Sequence, residues 1–218
     1  HKFSMRKDVV GLINCAIDKK LLKKEKIGVT EYLSSKCNIK DNSEVMMISN
    51  RKLAVCPLTT HIDINQVTKK IKSINIKKKV KTIDYNFKKF FKKKPKIGVL
   101  GLNPHNAELR KNSIERRIIK PTILSLIKQG FNCKGPLVAD SIFINKYKKF
   151  DVILGMYHDQ VLAPFKAIFK FDAINITLGL KYLRVSPDHG TAKNLIGKNK
   201  ANPESLIKCI EFIKSKKR

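Results

Sequence analysis

Residues able to do chemistry are concentrated at four places in this 218-residue chain: 58–61 (LTTH), 101–105 (GLNPH), 156–160 (MYHDQ) and 184–192 (RVSPDHGTA). Four of the five histidines lie there, namely His61, His105, His158 and His189; the fifth is His1. Neutral imidazoles are good ligands for zinc or a similar divalent ion, and three of them leave a coordination position open for a substrate. The histidines are far apart in sequence, so no local spacing pattern specifies such a site. For each one alone, a surface or satisfied core histidine remains the alternative. Asp159 and Asp140 read either as acid–base groups or as carboxylates that hold histidine rings by hydrogen bonds. Asp188 reads as a site residue or as a turn cap.

These clusters follow stretches expected to be strands, and in open α/β sheets ligands bind beyond strand ends. Residues 96–102 (KIGVLGL) form the clearest strand, apolar on both faces as in a buried parallel sheet. Residues 9–13, 44–49, 53–56, 150–156 and 173–178 are further expected strands. Helices are expected over 16–24, 64–74, 116–129 (interrupted at Pro121) and 204–214. The Lys-rich residues 77–94 are expected to be helical at most in the middle, with solvated or loop ends. The alternation of strands and helices predicts an α/β fold with a mixed or parallel sheet.

The net charge of +30 comes from 40 Lys against 7 Arg. Arg forks that grip phosphates in pairs are scarce, and Lys, Asn and Ile are all favoured by AT-rich codons. Codon bias therefore explains the charge better than a nucleic-acid partner, although a basic binding protein stands as the reading from another class. No apolar run is long enough to span a membrane. Residues 1–8 lack the apolar stretch of a signal peptide. Five cysteines without CxxC spacing predict reduced thiols and a cytoplasmic location.

The segments TTHI (59–62), GLNPH (101–105), GP-x-x-AD (135–140), YHDQ-x-L-x-P-x-K (157–166), N-x-T-LGL (175–180) and R-x-S-x-DHGTA (184–192) occur in order. With them the chain, from about residue 9 onward, resembles the 4-hydroxythreonine-4-phosphate dehydrogenases of vitamin B6 synthesis. The family chain is longer by roughly an N-terminal third, and that part is expected to be absent here. The resemblance implies two α/β/α domains of the isocitrate/isopropylmalate dehydrogenase type with a cleft between them. Residues 1–24 and 162–218 would belong to the cofactor-side domain, and residues 25–161 to the metal and substrate domain.

The resemblance further implies a homodimer with a shared active site and a divalent metal (Zn, Mg or Co) held by His61, His105 and His158. Thr30, Lys166, Asn175 and Arg184 would bind the substrate. Lys166 and Asp159 would act in catalysis. Asp188, His189, Gly190, Thr191 and Asn202 would hold NAD or NADP, although no GxGxxG loop occurs. Lys19 matches a family lysine. The implied reaction oxidises the secondary alcohol of 4-phosphooxy-threonine to a β-keto acid, which loses carbon dioxide to give 3-amino-2-oxopropyl phosphate. A shortened copy without turnover is the alternative.

The chain departs from the family pattern at several positions. Val29 stands for a His, Ala16 for a Pro, and Val161 and Ile196 for small residues. Residues 106–110 (NAELR) replace a Gly-rich stretch, so that loop is expected to adopt a different path.

Overall fold

A computed structural model describes residues 1–18, 29–39, 41 and 43–216. In chain order the strands and α-helices are β1 (Gly11–Ile13), α1 (Val29–Lys36), β2 (Val45–Ser49), β3 (Ala54–Pro57), α2 (Ile64–Lys70), α3 (Ser73–Phe91), β4 (Ile97–Leu100), α4 (Lys120–Lys128), β5 (Cys133–Leu137), α5 (Ala139–Ile142), β6 (Val152–Gly155), α6 (His158–Phe169), β7 (Ile174–Leu178), β8 (Leu183–Pro187) and α7 (Glu204–Lys214). The strands form one mixed eight-stranded sheet in the order β1-β8-β7-β2-β3-β6-β4-β5. Strands β3, β6, β4 and β5 run parallel, and β2, β7 and β8 pair antiparallel.

Side chains alternate across each strand, so successive residues enter different layers. Val45 and Met47 of β2 pack on one face with Ile76, Val80 and Ile83 of α3, Ile123 and Leu126 of α4, and Cys209 of α7. Met46 and Ile48 pack on the other face with Val161, Leu162 and Phe165 of α6. Covering both faces is what makes β2, β3, β4 and β6 buried along their whole length. The expected α/β fold with a mixed sheet is therefore the observed one.

Three local expectations are corrected. The helix expected over 64–74 is two helices. Asn75 Nδ2 donates to Lys70 O at 2.8 Å and closes α2, the chain turns through extended Lys72, and Ile71 drops into the core. The front of the Lys-rich segment is helix rather than loop, because Ile76, Val80, Ile83 and Phe87 form a buried stripe at helical spacing. Lys79 within it is only 5% exposed and its ammonium donates to Glu44 O. The helix expected over 116–129 begins as a π-helical turn, Glu115–Ile119, that runs into α4. Pro121 has no N–H to close an ordinary turn, and the wider Lys120 N to Glu115 O bond forms instead.

The helix expected over 16–24 falls mostly on residues outside those described, as does Lys19; the described residues 16–18 are not helical. Helices α1, α5 and α6 and strands β5 and β8 lie where the sequence pattern predicts no element. The loop after His105 does not escape the glycine conformation either. His105, Asn106, Ala107, Glu108 and Leu109 all hold φ between 48° and 57°. This left-handed turn is pinned by Asn106 N to Asn103 O and Arg110 N to Ala107 O, both 3.0 Å, and by Asn106 Nδ2 to Pro136 O at 3.1 Å.

Candidate active site

Helix α6 lines a cleft of about 720 Å3 with His158, Asp159, Leu162, Ala163 and Lys166, which share one side of the helix. Its buried Val161 and Phe165 anchor the helix to the sheet. From His158 to Lys166 the helix rises about 12 Å, which is the span along which the cleft's groups are distributed.

At one end, the His61 and His158 ring centroids are 5.5 Å apart. Asp159 Oδ1 lies 2.7 Å from His158 Nδ1. That bond fixes the imidazole's orientation and leaves Nε2 for a ligand. Asp159 is thus seen holding a ring rather than facing the cleft alone. His105 follows β4 and does not line this cleft, and no group of three His, Cys, Asp or Glu able to hold a metal occurs among the described residues. The donors present, two imidazoles with one tautomer set by a carboxylate, suit a divalent cation that draws a further ligand from elsewhere.

The middle of the cleft is built on β7 and β8. Their register places Thr177 opposite Arg184 and Asn175 opposite Ser186, all on the α6 face. Arg184 is only 4% exposed. Its Nε donates to Asn14 Oδ1 at 2.6 Å and its Nη1 to Thr177 Oγ1 at 3.0 Å. Asn14, just past β1, is a positioning residue that sequence reasoning missed, because its partner is 170 positions away. Asn175 Oδ1 is buried without a hydrogen-bond partner among the described residues. Thr30 and Val29, at the start of α1, line the same space.

At the far end, Lys166 Nζ is 3.3 Å from Asp188 Oδ1. The other Asp188 oxygen is buried and has no hydrogen-bond partner among the described residues. Asp188 is held from behind: its N–H donates to Ser205 Oγ at 2.9 Å, and that hydroxyl donates to Ala173 O at 2.6 Å. Burial raises the Asp188 carboxyl above the usual carboxylate range, while Lys166, His189 and His158 pull it down. His189, Gly190 and Thr191 line the cleft as well. Asn202 does not; its Oδ1 accepts from Glu204 N at 2.8 Å at the start of α7. Every other assigned residue except His105 and Asn202 is therefore brought into one cleft.

A second cavity of about 760 Å3 is lined by Phe87, Phe91, Phe212 and the β2–β3 turn, and holds none of the motif residues. Its carboxylates Asp151 and Asp172 are engaged by Lys93 and Lys208.

The chain is 42% identical over 187 residues to a 4-hydroxythreonine-4-phosphate dehydrogenase of Sulfurihydrogenibium sp. (strain YO3AOP1), covering 85% of this chain and 57% of that protein. A protein of the same name from Aquifex aeolicus is 41% identical over 216 residues, covering 96% of this chain and 66% of its own length. The crystal structure of 4-hydroxythreonine-4-phosphate dehydrogenase from Klebsiella pneumoniae superimposes with a TM-score of 0.81 at 29% identity, over 95% of this chain and 65% of that one. The chain thus spans between about half and two thirds of the length of these relatives. Residues 2–213 match the family model described as pyridoxal phosphate biosynthetic protein PdxA, and the chain belongs to that family.

Proposed function

We propose that the chain carries the cleft of a metal- and NAD(P)-dependent dehydrogenase acting on 4-phosphooxy-threonine in pyridoxal phosphate biosynthesis. The observation that carries this reading is one cleft lined by an imidazole pair, a buried guanidinium and two buried acceptors without partners among the described residues. A phosphorylated amino alcohol offers the complementary groups. Its anionic ends suit Arg184 and Lys166. Its amine and hydroxyls supply donors for Asn175 and Asp188.

When bound, the cation acidifies the substrate's secondary alcohol and the nicotinamide accepts the hydride. The protein's share is positioning. His61 and His158 hold the cation, with His105 supplied from a second copy of the chain in a homodimer. Asp159 keeps the His158 ring turned. Lys166, beside Asp188, is placed to accept the alcohol proton or to bind an anionic group. The 188–191 loop would hold the nicotinamide cofactor, and the exposed stretch after it, including Asn202, would serve its adenosine half.

On this reading residues 1–24 and 162–218 form the cofactor side of a two-domain enzyme, and residues 25–161 the metal and substrate side. A reducing, cytoplasmic location suits five free thiols. Among the described residues no helix is long and apolar enough to cross a membrane.

The test follows reduced nicotinamide on mixing the chain with 4-phosphooxy-threonine, a divalent cation and NAD or NADP. Turnover is expected, with loss of both turnover and bound cation in His158→Ala. A His158→Ala chain with full activity overturns the assignment.

A further inference from the structure

The three histidines thought to reach the cation leave three neighbouring strands, β3, β6 and β4, which are adjacent in the sheet and parallel. Beyond the strand ends the backbone ladder stops, and side chains take it over. Thr59 Oγ1 donates to Met156 O at 2.8 Å, joining the His61 loop to the His158 loop. Gln160, in the first turn of α6, accepts from Met156 N through Oε1 and donates from Nε2 to Gly101 O, both at 2.7 Å. It thereby joins the His158 loop to the His105 loop. Glu115, fully buried, accepts from Leu102 N at 2.9 Å, Asn103 N at 2.7 Å and Asn103 Nδ2 at 3.1 Å, and so fixes the residues just before Pro104 and His105.

Thr59 stands two residues before His61, Met156 two before His158, and Asn103 two before His105. The Thr59 and Met156 ends of the lacing thus sit at the same distance from their imidazoles, while Gln160 reaches the His105 loop at Gly101, four residues before that ring. The space around it is full: a Cβ at Gly101 would lie 2.0 Å from Asn106 Oδ1, and a Cβ at Gly155 would lie 2.5 Å from Val161 Cγ1 and 3.1 Å from Gln160 Oε1.

We infer that Gln160, with Thr59 and Glu115 on either side, is a positioning residue that holds the His158 loop against the His61 and His105 loops, and so sets both the His61–His158 pair offered to one cation and the placement of the His105 that the chain offers to a second copy. An amide suits the central place, because it must accept at one oxygen and donate from one nitrogen at once. A carboxylate or an apolar group of the same shape does only part of this. The inference rests on the metal reading given under the proposed function.

The experiment titrates the full chain with Co2+ alone, reading affinity and the visible absorption of the bound ion, with thermal unfolding run on each variant. In Gln160→Met the expected result is a folded chain whose Co2+ affinity falls by about 10- to 100-fold, as for other groups that orient metal-bound histidines, with a changed absorption spectrum. Thr59→Val, which cuts the link between the His61 and His158 loops, is expected to act in the same direction and serves if Gln160→Met does not fold. Gln129→Met, at the exposed residue just past the end of α4, is the control and leaves affinity unchanged. Co2+ binding by Gln160→Met and Thr59→Val within about two-fold of the parent, with an unaltered spectrum, overturns the inference alone. A parent chain that binds no Co2+ overturns the metal reading and the inference with it.

Discussion

At Arg184 a charge is buried and its direction fixed. Asn14 and Thr177 together use two of its nitrogens, which a lysine cannot do with its single ammonium. Arg184→Lys keeps the charge but loses the fork. The expected result is a rise in KM for the phosphorylated substrate of about ten-fold or more, from a loss of about 1.5–3 kcal/mol in charge-assisted bonding, with kcat changed less. Steady-state kinetics separates the two. Asp188 makes a different point. Its folded pKa is raised by burial, so its contribution to stability is fullest below the unfolded value and is lost as pH rises through the folded one. At neutral pH the ionised carboxylate therefore costs the ligand-free chain stability. Asp188→Asn is expected to melt at a higher temperature than the parent near neutrality, the gap closing on acidification. A less stable Asp188→Asn chain at neutral pH would mean that pairing with Lys166 outweighs burial.

At the scale of elements, the left-handed turn of residues 105–109 is built without glycine. A side chain there meets its own backbone at a cost of about 1 kcal/mol per residue. Glu108 is exposed, so Glu108→Gly removes that strain with little lost packing. It is expected to stabilise the chain by up to about 1 kcal/mol, measured by denaturant unfolding. Gly155→Ala is expected to do the opposite, by about 1–3 kcal/mol, because its methyl would meet Val161. The elements also differ in how plainly the sequence announces them. Strands β4 and β6 are legible because both faces are apolar, and β7 because Ile174, Ile176 and Leu178 alternate with Asn175 and Thr177. Strand β8 is not, because Arg184 and Ser186 point into the cleft and break the apolar run. Strand β5 carries Gly135 and Pro136, which ordinarily exclude a central strand, and it is tolerated at the sheet's edge. Helix α6 is hidden by Pro164 and by the polar residues of its first turn. The histidines, Lys166, Arg184 and Asp188 are legible from residue type and motif. Asn14, Gln160, Glu115 and Ser205 are not, since each acts on a partner that only the fold brings near.

At the scale of the whole molecule, the question is where His105 goes. Within one copy His61 and His158 face each other and His105 lies outside their cleft. The proposed shared site in a two-fold dimer would account for this, and it can be tested by complementation. Mixing inactive His105→Ala chains with inactive His158→Ala chains is expected to restore activity at about one site in four by random pairing. If all three ligands came from one copy, the mixture would remain dead. The most direct measurement is anomalous X-ray scattering from crystals of the chain grown with Co2+. The account predicts one cobalt peak per cleft, contacted by His61 and His158 and by His105 of a second copy. A cobalt peak away from these rings, or a cleft without one while His105 points to solvent in every copy, would contradict it.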